Sequence, residues 1–159
     1  MALKFSHWHD DEAPIVIPEI GLQLRVRLPG SATDGAVTVL ETNNAPGFGP
    51  PLHRHPQVEV FRVLAGRYLF EVDGGRFTAE TGDVVRVPGG AAHASLNITT
   101  APAKQLVLVL PALDAAAFLA GLVAAIKDAL RRGVTCPRKT PVLWGDARRH
   151  RQSRGKETL

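Results

Sequence analysis

His53, His55, Glu59 and His93 are the side chains of this sequence best suited to chemistry, and they lie within two glycine-punctuated stretches. The first, Gly47 to Gly66, reads G-x5-H-x-H-x3-E-x6-G; the second, Gly82 to Asn97, reads G-x5-P-x-G-x2-H-x3-N. Imidazole and carboxylate donors together suit first-row divalent metals. Four protein donors on an ion that prefers about five or six leave room for a substrate. On an extended strand His53 and His55 project to one side and can chelate a single ion, and Glu59 has the same parity, although Pro56 interrupts the run. Gln57 shares that parity and competes with Glu59, but a neutral amide oxygen is the poorer donor. His93 arrives from a separate segment after Pro88, Gly89 and Gly90 have turned the chain.

The elements that must position these residues read as β-structure. Ile20 to Leu28 alternates apolar and polar residues at the period of a strand with one buried face. Ala36 to Thr42, Val58 to Leu64, Arg67 to Val72, Asp83 to Val87, Ala92 to Ile98 and Lys104 to Leu110 supply further strands. Asp73-Gly74-Gly75 is a hairpin turn signal, and Asn43 to Pro51 is a loop that delivers the chain to His53. Within the Val58 strand, Glu59, Phe61 and Val63 share a face. Gly47, Gly66, Gly82 and Gly89 are read as turn-makers. From Asp114 to Arg132 the period becomes helical, with Phe118, Leu119, Leu122, Val123, Ile126 and Leu130 in one stripe, Asp114 as the cap and Gly133 as the stop. Many short strands without a helix among them point to a sandwich or barrel, an all-β fold with a C-terminal α-helix.

The two stretches are the signature motifs of the cupin superfamily without a substitution. The fifteen residues between them, Arg67 to Thr81, match the compact spacing of small single-domain bacterial cupins. The chain thus resembles the type-2, quercetinase-like members of that superfamily over Gly47 to Asn97, with strand-like sequence continuing the likeness to Pro111. The resemblance implies a double-stranded β-helix, or jelly-roll barrel. It selects His53, His55, Glu59 and His93 as ligands of one divalent transition metal per chain, iron, manganese, nickel, copper or zinc. It also implies a dioxygenase acting on a small enolisable, diketone or aromatic substrate, with Glu59 as ligand and proton acceptor. Cupins with the same motifs include non-redox isomerases, cyclases and lyases, and a non-catalytic metal- or ligand-binding module is the third reading, since a fold does not choose a reaction. Phe48, Leu52, Phe61, Phe70 and Val85 offer an apolar substrate pocket, with Gln57 and Asn97 as polar neighbours; Asn97 either lines the barrel or satisfies a strand end. Arg54, Arg62 and Arg86 fall on the opposite parity, which leaves few inward cations to hold a sugar phosphate.

At 159 residues, with 45% hydrophobic and 21% charged residues, the composition is that of a globular domain. Residues 1–136 are expected to form that domain, including a helix at about 114–132. From Met1 to Cys136 there are 12 Lys or Arg against 13 Asp or Glu, a balance of −1; from Pro137 to Leu159 there are 7 against 2, a balance of +5. The sequence pI near 9.7 therefore belongs to a short basic tail, flexible or packed on the surface, and a nucleic-acid partner is not expected. No signal peptide opens the chain, and the uncharged run Ala115 to Ile126 is too short for a bilayer of roughly 30 Å, so a cytoplasmic protein with no membrane partner is expected. Cys136 is an incidental thiol, and His7, His9, Asp10, Asp11 and His150 are read as surface groups. Exposed strand edges and the Phe118 to Leu130 stripe suggest a homodimer.

Overall fold

The computed structural model describes residues 5, 7–9 and 13–114, together with 117, 118, 120, 121, 123, 124, 128 and 131. Nine strands follow one another: β1 (Ile15–Ile17), β2 (Leu22–Leu28), β3 (Thr38–Asn44), β4 (Val58–Ala65), β5 (Arg67–Val72), β6 (Gly75–Glu80), β7 (Val84–Val87), β8 (His93–Asn97) and β9 (Ala103–Leu110). They form two antiparallel sheets, one in the order β1-β2-β3-β9-β4-β7 and one in the order β6-β5-β8. This is the all-β sandwich or barrel expected from the strand pattern and the jelly roll that the resemblance implies, and the inner faces of both sheets enclose the core.

Alternation decides which side chains reach the interior. On β4, Glu59, Phe61 and Val63 are buried while Arg62 and Leu64 are exposed; on β9, Gln105, Val107 and Val109 are buried between more exposed neighbours. Arg54, Arg62 and Arg86 all lie on the exterior. The aromatic centre is built from Phe61 and Phe70, with ring centroids 5.3 Å apart at 72°, and Phe70 in turn stacks on Phe77 at 5.6 Å.

Two strands lie outside the pattern read from sequence. β1 has only three residues, and β6 exposes every side chain except Ala79, so neither carries a two-residue rhythm. β6 exists because Asp73 and Gly74, at φ 46° and 82°, turn the chain back along β5 from Val72↔Gly75 to Arg67↔Glu80.

The described residues beyond Asp114, from Ala117 to Arg131, are helical. Asp114 begins this helix: its Oδ1 accepts a hydrogen bond from the Ala117 amide at 3.0 Å, and its carbonyl accepts one from Phe118 at 2.9 Å. No helix among the described residues is long and apolar enough to cross a membrane. The basic tail at 137–159, Cys136, Gly133 and His150 lie outside the described residues, as do Asp10 and Asp11, while His7 and His9 are exposed.

Gly47, Gly66 and Gly82 occupy the left-handed region expected of turn-makers, but Gly89 does not; in that turn the positive φ belongs to Gly90. Gly89 has a different role, because a Cβ there would collide with the Pro56 carbonyl oxygen. Gly49 is under the same constraint against the Ser95 carbonyl, where its segment is held by Gly47 N–H to Asn97 O and Asn97 N–H to Phe48 O, at 3.0 and 2.9 Å. Both contacts are with main chain and cannot relax by a side-chain rotation. Gly49→Ala is therefore expected to destabilise the protein by about 3 kcal/mol, the upper end for overpacking, as read from a denaturant midpoint at unchanged m-value.

Candidate metal centre

β4 and β8 hold Glu59 and His93, and the loop before β4 carries His53 and His55. Glu59 is the second residue of β4, where it pairs with Val87 of β7 on one side and Val109 of β9 on the other. His93 opens β8 and is paired through its main chain to His53, with His53 N–H to His93 O at 3.0 Å and the reciprocal bond at 2.8 Å. That bridge fastens the loop carrying His53 and His55 to the second sheet. Another bond, Gly90 N–H to His55 O at 2.8 Å, ties the loop to the turn before β8. One ligand atom from each of His53, His55, Glu59 and His93 can be chosen so that all lie within 4.8 Å of one another.

The hydrogen bonding leaves those atoms available. His53 Nδ1 lies 2.7 Å from the Pro51 carbonyl and His93 Nδ1 lies 2.9 Å from the Ala91 carbonyl. A carbonyl only accepts, so each Nδ1 carries the proton and each Nε2 keeps its lone pair, the tautomer that a metal-bound imidazole adopts with an outer acceptor. His93 Nε2 approaches Glu59 Oε2 at 2.8 Å, and His55 Nε2 approaches Glu59 Oε1 at 3.4 Å. Yet His93 Nε2 and both His55 nitrogens are buried without an aligned hydrogen-bond partner. Converging lone pairs without proper hydrogen bonds are costly unless something electrophilic sits between them. The donor set is thus compatible with a single metal ion.

Electrostatics point the same way. Burial works against the charge on Glu59, but the neighbouring His55 and His93 outweigh it and hold the carboxyl at about 2, against an ordinary 4.5. Burial lowers the His53 pKa, whereas His93, although burial opposes its charge, is raised on balance by Glu59 and the Ala91 carbonyl. Glu59 therefore remains an anion across the physiological range, and protons compete with a metal chiefly at imidazole. Metal content after dialysis over a series from pH 8 to pH 5 should accordingly fall through the imidazole range rather than near the carboxylate's value.

The cluster opens onto a cavity of about 70 Å³. Its wall is made by Leu22, Leu24, Leu40, Phe61, Val107 and Pro50, with Thr42, Asn44, Ser95 and Gln105 supplying the neutral polar groups beyond the cluster. Phe118 closes the wall from the C-terminal helix, its ring 6.1 Å from that of His53 and 5.7 Å from that of His55. No Lys or Arg is among the lining residues.

Of the pocket residues expected from sequence, Phe61 is the one the structure brings to the cavity. Phe70 and Val85 are buried behind it in the core, where Val85 pairs with Phe61 across β7 and β4. Phe48 packs beside Gly21, Leu52 is 56% exposed, and Gln57 is half-buried away from the cavity. Asn97 is fully buried and saturated: its amide donates to the Asn44 and Ala101 carbonyls, and its oxygen accepts from the Thr99 amide and hydroxyl. It fastens a strand end instead of facing a ligand. Thr42, Asn44, Ser95 and Gln105 were not anticipated. Gln105 had a visible signal, since it shares the parity of Val107 and Val109 on β9.

Residues 41–109 match the family model described as a cupin domain. Among solved structures, the chain is similar to KdgF from Halomonas sp., with TM-score 0.60 and 16% identity, covering 69% of this chain and 97% of that one. It is similar to an RmlC-like cupin from Shewanella frigidimarina, with TM-score 0.59, 17% identity and coverage of 70% and 95%. It is also similar to the polyketide cyclase RemF from Streptomyces resistomycificus, with TM-score 0.57, 18% identity and coverage of 67% and 80%. No protein of curated function matches the sequence. At these identities the likeness is one of fold.

Proposed function

This chain belongs to the cupin superfamily, its cupin domain lying at residues 41–109, and on that premise we propose that it is a metal-dependent dioxygenase of a small enolisable, diketone or aromatic substrate. The observation that carries the reading is the meeting of three imidazoles and one carboxylate, of which His53, Glu59 and His93 line an apolar cavity whose lining residues include no Lys or Arg. His53, His55, Glu59 and His93 would hold a divalent iron or manganese, which would supply Lewis-acid activation of the substrate and reactivity toward dioxygen.

The chain's own residues supply the rest. The Pro51 and Ala91 carbonyls fix the orientation of His53 and His93. Glu59, ionised in its buried position, accepts the proton that an enolisable substrate gives up on binding. Phe61, Val107 and Phe118 keep water from the reacting end and favour a carbon skeleton without charge.

The test is oxygen uptake by iron- or manganese-loaded protein with a panel of β-diketones and flavonols. Uptake matched to substrate loss supports the reading. Full turnover under anoxia, retained with zinc, would replace it with a non-redox isomerase, cyclase or lyase; binding without product under either gas would leave a ligand-binding cupin.

The same proposal includes a homodimer. β1 is an edge of the six-stranded sheet and exposes Ile15 and Val16, which supports pairing with a second copy. Light scattering is expected to give twice the 17.1 kDa chain mass.

A further inference from the structure

Six buried side-chain polar atoms among the described residues have no hydrogen-bond partner: Asn43 Oδ1, Asn44 Nδ2, both ring nitrogens of His55, His93 Nε2 and Gln105 Oε1. Five of the six belong to the metal cluster or to the cavity wall. His93 Nε2 and one ring nitrogen of His55 are explained by the ion they would hold. Asn44 Nδ2 and Gln105 Oε1 are not, because neither residue belongs to the cluster.

We propose that Asn44 and Gln105 form a second recognition point in this cavity, specific for a neutral hydroxyl group that the substrate carries away from its metal-binding end. The inference rests on the metal-enzyme reading above. The two amides are oriented by their other contacts. Tyr68 Oη–H donates to Asn44 Oδ1 at 3.0 Å, which occupies the amide oxygen and leaves the NH₂ as the free function. Gln105 Nε2 donates to Ser95 Oγ at 3.3 Å, which leaves Oε1 as the free function. Asn44 lies opposite Ala103 and Gln105 opposite Thr42 on the paired strands β3 and β9, so the two amides are diagonal neighbours at the wall of one cavity. A hydroxyl can accept from the first and donate to the second, whereas a methyl satisfies neither.

Register places this pair apart from the metal. Glu59 lies opposite Val109 on β9, and Gln105 is four residues earlier on the same strand, about 13 Å along it. Leu24, Leu40, Phe61 and Val107 wall the cavity with apolar surface. The complementary ligand has a chelating head, a short apolar middle and a hydroxyl at the far end.

The experiment uses metal-loaded protein and matched linear β-diketones ending in methyl or in a primary hydroxyl, with affinity measured by calorimetry for wild type and for Gln105→Met. Wild type should prefer the hydroxyl-ended member by roughly tenfold. In Gln105→Met that preference should vanish through loss of the hydroxyl-ended ligand alone, with affinity for the methyl-ended one retained. The variant's melting temperature should equal or exceed that of wild type, since a shape-matched apolar side chain replaces an unpaired buried acceptor. A lower melting temperature, or equal weakening of both ligands, would make Gln105 a structural residue and overturn the proposal. Binding of both diketones by wild type without preference would also overturn it while leaving the metal-enzyme reading intact. If neither diketone binds to metal-loaded wild type, both readings fall together.

Discussion

His93→Ala is expected to abolish stable metal binding while leaving the barrel folded. The imidazole lies at the centre of the cluster: its ring is 4.3 Å from that of His53 and 5.1 Å from that of His55, and its Nε2 is 2.8 Å from Glu59. Removing it takes away one of four donors and also one of the two groups that hold Glu59 ionised. Loss of an outer hydrogen-bond partner alone weakens metal affinity about 10–100-fold in comparable sites, so loss of a ligand should cost at least about 100-fold. The fold should survive because the two bonds joining His53 to His93 are main chain to main chain, and alanine keeps both. Elemental analysis gives the metal content. A thermal melt completes the test: added metal should raise the melting temperature of wild type and leave that of His93→Ala unmoved. A variant that still retains stoichiometric metal would show that the ion is held elsewhere.

Glu59→Gln is expected to separate metal retention from turnover. Glutamine fills the same volume at the second position of β4 and three imidazoles remain, so metal should still load, with weaker affinity because an amide oxygen is a poorer donor. Turnover should fall by about 10²–10⁴-fold, the range for removing a positioned general base. The charge change also leaves a signature in stability. In the metal-free protein Glu59 has a folded pKa of about 2 against an ordinary 4.5, so its ionisation stabilises the fold above pH 4.5, and that contribution is lost as pH falls toward 2. The acid limb of the stability curve should therefore be shallower in Glu59→Gln than in wild type. Activity close to wild type at full metal occupancy would remove Glu59 from the proton transfer.

The cluster of His53, His55, Glu59 and His93 was legible in the sequence because the spacing of the two cupin motifs singles out those four residues. Three imidazoles and a carboxylate at fixed intervals between turn-forming glycines leave few other arrangements, and strand parity put Glu59, Phe61 and Val63 on one face. The cavity beside the cluster was less legible. Apolar residues near the ligands read equally as wall or as core, and packing decided between them: Phe61 reached the cavity, while Phe70 and Val85 filled the space behind it. Leu52, a neighbour of His53 in sequence, points outward because the approach loop has no strand to impose alternation on it. The neutral residues Asn44, Ser95 and Gln105 escaped notice for the opposite reason. Neutral polar residues on strands are ordinarily read as solvated, and only the packing of the two sheets face to face shows that these are buried. Asn97 could be read either way until its hydrogen bonds were counted.

The position of β9 bears on how the protein is made. This strand, the last among the described residues, lies between β3 and β4, so neither acquires its partner there until residues 103–110 have left the ribosome. A nascent chain halted before that point exposes two open sheet borders, of which β4 carries three valines and a phenylalanine, and its assembly must wait for contacts distant in sequence. Synthesis of this protein should therefore depend on chaperone protection until β9 emerges, and C-terminal truncations that cut into that strand should accumulate as aggregates rather than as soluble apoprotein.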